Sequence, residues 1–262
     1  MGFEKNNNVF SFDAVIFDVD GVVTKTAVVH AAAWKEMFDE YLHLRDKRDG
    51  EPFREFIYES DYLTYVDGKP RYKGVQSFLK SRNIHIPFGD IEDSVEQETV
   101  CALGNRKNVK FLEVLKNKGV EAFPSTIALM KDLKANNIHI GVASSSKNCQ
   151  FILQSIGIED LIETRVDGVV SAEMGLKGKP EGDIFVTAAK NVGVAPDRAV
   201  VIEDAVSGVQ AGQNGGFALV IGVARENNEK ELQENGADIV VTDFEGYATQ
   251  DIEQWLLQKK SR

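Results

Sequence analysis

The chain has 262 residues, 43% of them hydrophobic and 27% charged, which suits a globular protein with one large domain or two modest ones. Its formal net charge of −11 argues against a general binder of nucleic acid or anionic membrane, though not against an anionic substrate held in a local positive pocket. Two cysteines, Cys101 and Cys149, fit no metal spacing and no disulfide framework, so a cytoplasmic location is expected.

No apolar stretch approaches the ~20 residues that span a bilayer. The polar start Gly2-Phe3-Glu4-Lys5-Asn6 matches neither a secretory signal nor a transit peptide, and Asn6 stands where myristoylation wants Ser or Thr. It reads as a lead-in. The first regular element is the apolar run Val15-Ile16-Phe17, a strand buried on both faces. It ends in Asp18-Val19-Asp20-Gly21, two carboxylates one residue apart. Unpaired acids are costly to bury, which places them at the strand's carboxyl end, where open α/β sheets bind ligands.

From Val28 to Leu42 apolar residues recur at helical spacing, among them Val29, Ala33, Phe38 and Tyr41. A charged linker over 45–52 follows. Residues 53–66 and 72–82 are predicted helical, as is 91–118 with a break near Gly104-Asn105. No strand is expected between 28 and 122. After Phe123-Pro124 the pattern changes. Ser125 is placed as the N-cap of a helix reaching Lys134, and Ile138–Ala143 reads as a strand followed by a helix over 147–155. Residues 198–202 form a strand ending in Glu203-Asp204, then comes a helix over 206–214, with short strands at 217–223 and 238–241. Strands alternating with helices imply a parallel sheet. The expected fold is therefore α/β, with a core of residues 1–27 and 123–262 interrupted by a helical insertion over 28–122. An insertion after the first strand would stand over the carboxyl ends of the strands, where a lid belongs.

Three more stretches carry chemistry. Ser144, in Ala143-Ser144-Ser145-Ser146, is a hydroxyl expected at a helix start, suited to phosphate or to plain N-capping. Lys179 lies in Gly178-Lys179-Pro180, on a loop where a lone lysine is usually solvated. Glu203-Asp204 alone would be turn chemistry. Together they say more. Asp18, Asp20, Glu203 and Asp204 would converge at one sheet edge, where like charges raise one another's pKa unless a cation joins them. Oxygen-only donors favour a hard ion, Mg²⁺. The set describes a phosphoryl-transfer centre. Asp18 would be the nucleophile and Asp20 the general acid and base, with Ser144, Lys179 and Mg²⁺ holding the transferring charge.

In order and spacing these residues resemble the four motifs of the haloacid dehalogenase (HAD) superfamily, over the chain from Phe12 to about Val241. The resemblance implies a Rossmann-like parallel-sheet core with an inserted α-helical cap. It implies Mg²⁺ held by the side chains of Asp18 and Asp204 and the backbone carbonyl of Asp20, with Glu203 acting through a water. It also implies that the Lys179-Pro180 bond is cis, an isomer that costs an X-Pro bond only ~0.5–1 kcal/mol.

Within the superfamily the cap resembles the β-phosphoglucomutase-like subfamily. Thr26, His30 and Trp34 match its cap-entry segment, Gly68-Lys69-Pro70-Arg71 its phosphate-gripping loop, and Lys107 a cavity-lining lysine. Ser145, Ser146, Lys147 and Asn148 match the run contacting the distal phosphate and the sugar. Each has a structural alternative: Trp34 as cap packing, His30 as a satisfied histidine, Arg71 and Lys107 as surface charges, Gly68 as a turn. Lys25 departs from the pattern, since many relatives carry an acid there. The long segment 41–67 also resembles modules found with trehalose-6-phosphate phosphatases and disaccharide phosphorylases. The implied activity is Mg²⁺-dependent phosphoryl transfer on a hexose phosphate through an aspartyl-phosphate, with sugar-phosphate hydrolysis as the alternative. A small phosphosugar partner and a monomer are expected. A dehalogenase would have little use for the acid cluster. A phosphorylatable receiver domain is about half this length and places its acid pair before the nucleophile.

Overall fold

Every side chain of the first strand, β1 (Ala14–Phe17), is buried in the computed structural model, which describes residues 10–225 and 227–261. The polar lead-in at 2–6 lies outside the described residues. β1 pairs in parallel with β2 (His139–Ala143) on one side and β4 (Ala199–Glu203) on the other. With β3 (Thr164–Val166), β5 (Leu219–Val223) and β6 (Ile239–Val241) they form a six-stranded parallel sheet of order β3-β2-β1-β4-β5-β6. Parallel neighbours need crossovers, and helices supply them. The order reverses between β1 and β4, which opens a crevice at their carboxyl ends.

The chain divides into two compact units, one running to Val23 and resuming at Ala122, the other Thr24–Glu121. The first holds the sheet and a core that includes Ile16, Phe185, Val201 and Val220. In this unit Ser125 is not an N-cap. The helix Pro124–Ala135 is capped by Phe123 with Pro124 at its first position, where proline's fixed φ and missing N–H suit a helix start. The short β3 and the helices Gly168–Glu173, Glu229–Glu234 and Thr249–Lys260 are additions to the sequence reading.

The regular elements of the second unit are all helices: Thr26–Asp49, Tyr58–Val66, Arg71–Ser81 and Val100–Lys118. The first helix outruns its expected end. Arg45 to Asp49 belong to it rather than to a linker, and it stops at Gly50, which is left-handed with φ 70°. Only the last part of 53–66 is helical, and it is a wide helix in which Tyr62 N–H donates to Ile57 O and Asp67 N–H to Tyr62 O. The helix expected from 91 begins at Val100, where the Thr99 hydroxyl accepts from Ala102 N–H at 3.0 Å. It runs unbroken through Gly104-Asn105, where Asn105 accepts a hydrogen bond from the Tyr72 hydroxyl. Phe38, Phe56 and Phe78 pack with centroids 4.1–5.1 Å apart, contacts worth about 0.5–1.5 kcal/mol each beyond burial. Cys101 and Cys149 are both buried free thiols.

Candidate active site

The Asp18 N–H donates to Ile202 O at 2.9 Å, which carries the β1–β4 ladder one step past the strand and sets Asp18 level with Glu203. Both are nearly inaccessible, at 5% and 1% exposure. Between them lies Lys179, whose Nζ donates to Asp18 Oδ1 at 2.5 Å and to Glu203 Oε1 at 3.0 Å, over the Phe185 ring. The Lys179-Pro180 bond is cis, as the motif implies. A loop lysine in sequence is thus a buried one in space.

Asp18, Glu203 and Asp204 each bring an oxygen within 4.8 Å of the others, a cluster able to hold a metal ion. Two glycines make the approach possible. A Cβ on Gly21, whose φ is +89°, would lie 1.7 Å from Asp204 Oδ2, and one on Gly208 would lie 1.6 Å from Glu203 Oε1. The Asp204 N–H donates to Glu203 Oε2, and Asn228 Nδ2 donates to Asp204 O. Asp20 stands beside this cluster, near enough for its charge to act on Asp18. Its carboxylate accepts from the Ser144 hydroxyl at 3.3 Å, and its side chain is no part of the cluster.

Burial lifts the Asp18 carboxyl to about 6; the Lys179 charge opposes the rise, and Asp20 adds to it. Burial works against the Lys179 ammonium too, but Asp18 and Glu203 outweigh it and hold the lysine protonated. One lysine among these acids leaves a local excess of negative charge in a water-poor place. All-oxygen donors with that charge fit a hard divalent cation.

Ser144 reaches the site from a turn, not from a helix start. The helix begins at Cys149, and hydroxyl turns precede it: Ser146 N–H donates to Ser144 Oγ at 3.0 Å and Asn148 N–H to Ser146 Oγ at 3.1 Å. Ser145 and Lys147 share this half-buried loop.

In the second unit Lys107 is 3% exposed, so it is no surface charge. Its Nζ donates to His30 Nδ1 and lies 5.0 Å from the Trp34 ring and 4.7 Å from that of Phe111. An ammonium has no lone pair, so His30 accepts through Nδ1. His30 also stacks on Phe111 at 3.9 Å. Trp34 lies in the apolar core of this unit, stacked on Phe38. Arg71 donates to Asn108 Oδ1 at 2.6 Å, and burial pulls its pKa down. Gly68 forms a left-handed turn with φ 68° just ahead of it. Thr26 is buried with its hydroxyl 2.6 Å from that of Thr24. Lys25 pairs with Glu121 at 2.9 Å at the surface and donates its N–H to the same residue's carbonyl. Gly208, Arg225 and Asn228 were not singled out from the sequence. Only Gly208, a glycine just inside a helix behind an acid pair, carries a local signal.

The sequence profile of the haloacid dehalogenase-like hydrolases matches residues 12–216. A β-phosphoglucomutase of Mycobacterium tuberculosis is 46% identical over 234 residues, covering 88% of this chain and 89% of the relative. A β-phosphoglucomutase of Bacillus subtilis is 35% identical over 230 residues, covering 87% and 88%. Among solved structures, a β-phosphoglucomutase from Clostridium difficile superposes with a TM-score of 0.73 at 26% identity, over 96% of this chain and all of the other.

Proposed function

The chain belongs to the haloacid dehalogenase-like hydrolases, and we propose that it is a phosphotransferase interconverting β-glucose 1-phosphate and glucose 6-phosphate through a phosphorylated Asp18. The observation that carries the reading is the placement of Asp18, a buried carboxylate gripped by Lys179 and flanked by Glu203 and Asp204. The resemblance to named β-phosphoglucomutases over both units, at 46% and 35% identity, supports the choice of sugar.

In this mechanism an Asp18 oxygen attacks phosphorus, and the bond from phosphorus to the sugar oxygen breaks. Asp20, oriented by Ser144, gives its proton to the departing oxygen and later takes one from the incoming hydroxyl. Lys179 stays protonated and offsets negative charge on Asp18 and the phosphoryl oxygens. Mg²⁺ would be held by Asp18 and Asp204, the Asp20 carbonyl and, through water, Glu203; when bound it stabilises charge on the transferring group. Thr26, His30, Arg71 and Lys107, with Ser145, Ser146, Lys147 and Asn148, are assigned to the sugar and its second phosphate, with Gly68 shaping the Arg71 turn and Trp34 backing Lys107. A mutase must let a sugar hydroxyl outcompete ~55 M water, which orientation achieves because effective molarities reach roughly 10⁵ M. A monomer in a reducing cytoplasm belongs to the same reading, consistent with two buried free thiols.

Acid-quenched protein, taken after brief exposure to glucose 1,6-bisphosphate and Mg²⁺, tests the covalent step. The peptide containing Asp18 carries the phosphoryl group in the native protein and lacks it in Asp18→Asn. Phosphorylation elsewhere, or none with substrate turning over, would exclude Asp18 as nucleophile.

A further inference from the structure

Arg225 follows β5 in the first unit with a side chain only 14% exposed, and the mechanism above makes no use of it. Its Nε donates to the Gly21 carbonyl at 3.1 Å. Its Nη1 donates to Thr242 O at 2.9 Å and to Asp243 Oδ2 at 2.8 Å. Its guanidinium carbon sits 3.6 Å from the centre of the Phe123 ring. The next two carbonyls of the same loop are held as well. Thr126 Oγ1 donates to Val22 O at 2.8 Å, and Phe123 N–H donates to Val23 O at 2.9 Å. Three consecutive carbonyls after Asp20 are therefore fixed, two by the segment 123–126 and the first by Arg225, which also stacks on that segment. Burial acts against ionised Asp243, yet hydrogen bonds from Arg225 and Ser125 hold its carboxyl below the usual range, closing the ring of contacts.

Gly21 is the hinge of this arrangement. Its α-carbon lies where any side chain would strike Asp204, and its φ of +89° sets the peptide plane that carries the Asp20 carbonyl. A small rotation there moves Asp20 and crowds Asp204 together.

We propose that Arg225 is a positioning residue that fixes the Gly21–Val23 backbone, and through it the Asp20 carbonyl and carboxyl against Asp204. The proposal rests on the assignment of Asp20 and Asp204 given under Proposed function. It concerns geometry, because the contact with Gly21 is a directional N–H to a carbonyl, while Asp243 and the Phe123 ring hold the guanidinium in place to make it.

The full chain carrying Arg225→Ala is compared with Arg225→Lys and with Phe123→Leu, which removes the stack and spares the hydrogen bonds. In Arg225→Ala, kcat falls roughly 10–100-fold, as misplacement of a reacting group does, while KM for the phosphosugar stays within about twofold. Calorimetric titration with Mg²⁺ alone shows affinity weakened about tenfold, the usual scale for residues that orient metal ligands. Amide hydrogen exchange speeds up over residues 21–24 more than over β1. Arg225→Lys recovers part of each loss, and Phe123→Leu shows smaller losses of the same kind. A folded Arg225→Ala protein with native Mg²⁺ affinity and native exchange at 21–24 overturns the proposal. Should Arg225→Ala fail to fold, a Phe123→Leu protein unchanged in both readouts overturns it. If the native protein transfers no phosphoryl group, the proposed function fails, while the Mg²⁺ and exchange readouts still decide the role of Arg225.

Discussion

Replacing Lys179 with methionine removes the cation between Asp18 at 2.5 Å and Glu203 at 3.0 Å and leaves two buried carboxylates facing each other. Breaking a buried ion pair from one side costs about 3–5 kcal/mol. The pH dependence follows from the directions of the shifts. The folded-state pKa of Lys179 lies above its unfolded value, so its contribution is complete below about 10.4 and constant from pH 5 to 8. Asp18 is also raised, to about 6, which is the unfavourable direction for a carboxyl. The folded protein releases that proton later than the unfolded chain, so stability declines as pH climbs from about 4 to about 6. Without Lys179 the same decline deepens and extends upward. Urea denaturation of metal-free protein should therefore show the variant about 4 kcal/mol less stable than native at pH 8 and roughly half that at pH 5. Saturating Mg²⁺ should narrow the gap, since a cation again faces the acids. A deficit below about 1 kcal/mol at pH 8, or one that is the same at both pH values, would refute the account of Lys179 as the neutralising charge.

Gly208→Ala places a carbon 1.6 Å from Glu203 Oε1, so the carboxylate must leave Lys179. Thermal denaturation should register a loss of about 1–3 kcal/mol together with weaker Mg²⁺ binding, and an unchanged melting curve would contradict the geometry. Because Asp18 holds its proton up to about 6 in the metal-free protein, Mg²⁺ affinity should fall as pH drops below that value. Calorimetry in buffers of different ionisation heat should detect proton release on binding at pH 5.5, and none would place Asp18 outside the metal site. Arg71→Ala should raise KM for the phosphosugar about tenfold with kcat nearly intact, whereas equal losses in kcat and kcat/KM would mean that Arg71 acts in the transition state.

The local parts of the site were legible because each is a strand end followed by a turn. Asp18-x-Asp20-Gly21 and Glu203-Asp204 declare themselves by an abrupt change from apolar to acidic. Lys179 is different: its sequence surroundings describe a solvated loop, and only the fold buries it against Asp18 and Glu203. Ser144 reads as a helix start because a serine that accepts from the N–H two residues on looks, in sequence, like an N-cap. β3 escaped because three residues, with Thr164 and Arg165 among them, give too little apolar periodicity. Arg45 to Asp49 read as a linker by charge, yet charged residues make good helix when paired along one face, as Arg45 and Asp49 are at 3.7 Å. Arg225 could not be found this way. Its partners Gly21, Phe123 and Asp243 meet only when the sheet is assembled.

The central claim is that phosphorylated Asp18 passes its phosphoryl group to a sugar hydroxyl. It is tested most directly by supplying β-glucose 1-phosphate with Mg²⁺ and a trace of glucose 1,6-bisphosphate, then measuring glucose 6-phosphate and free phosphate in parallel. The account predicts that glucose 6-phosphate accumulates with little free phosphate, and that Asp18→Asn produces neither. Free phosphate without glucose 6-phosphate would contradict it and make the protein a sugar phosphatase.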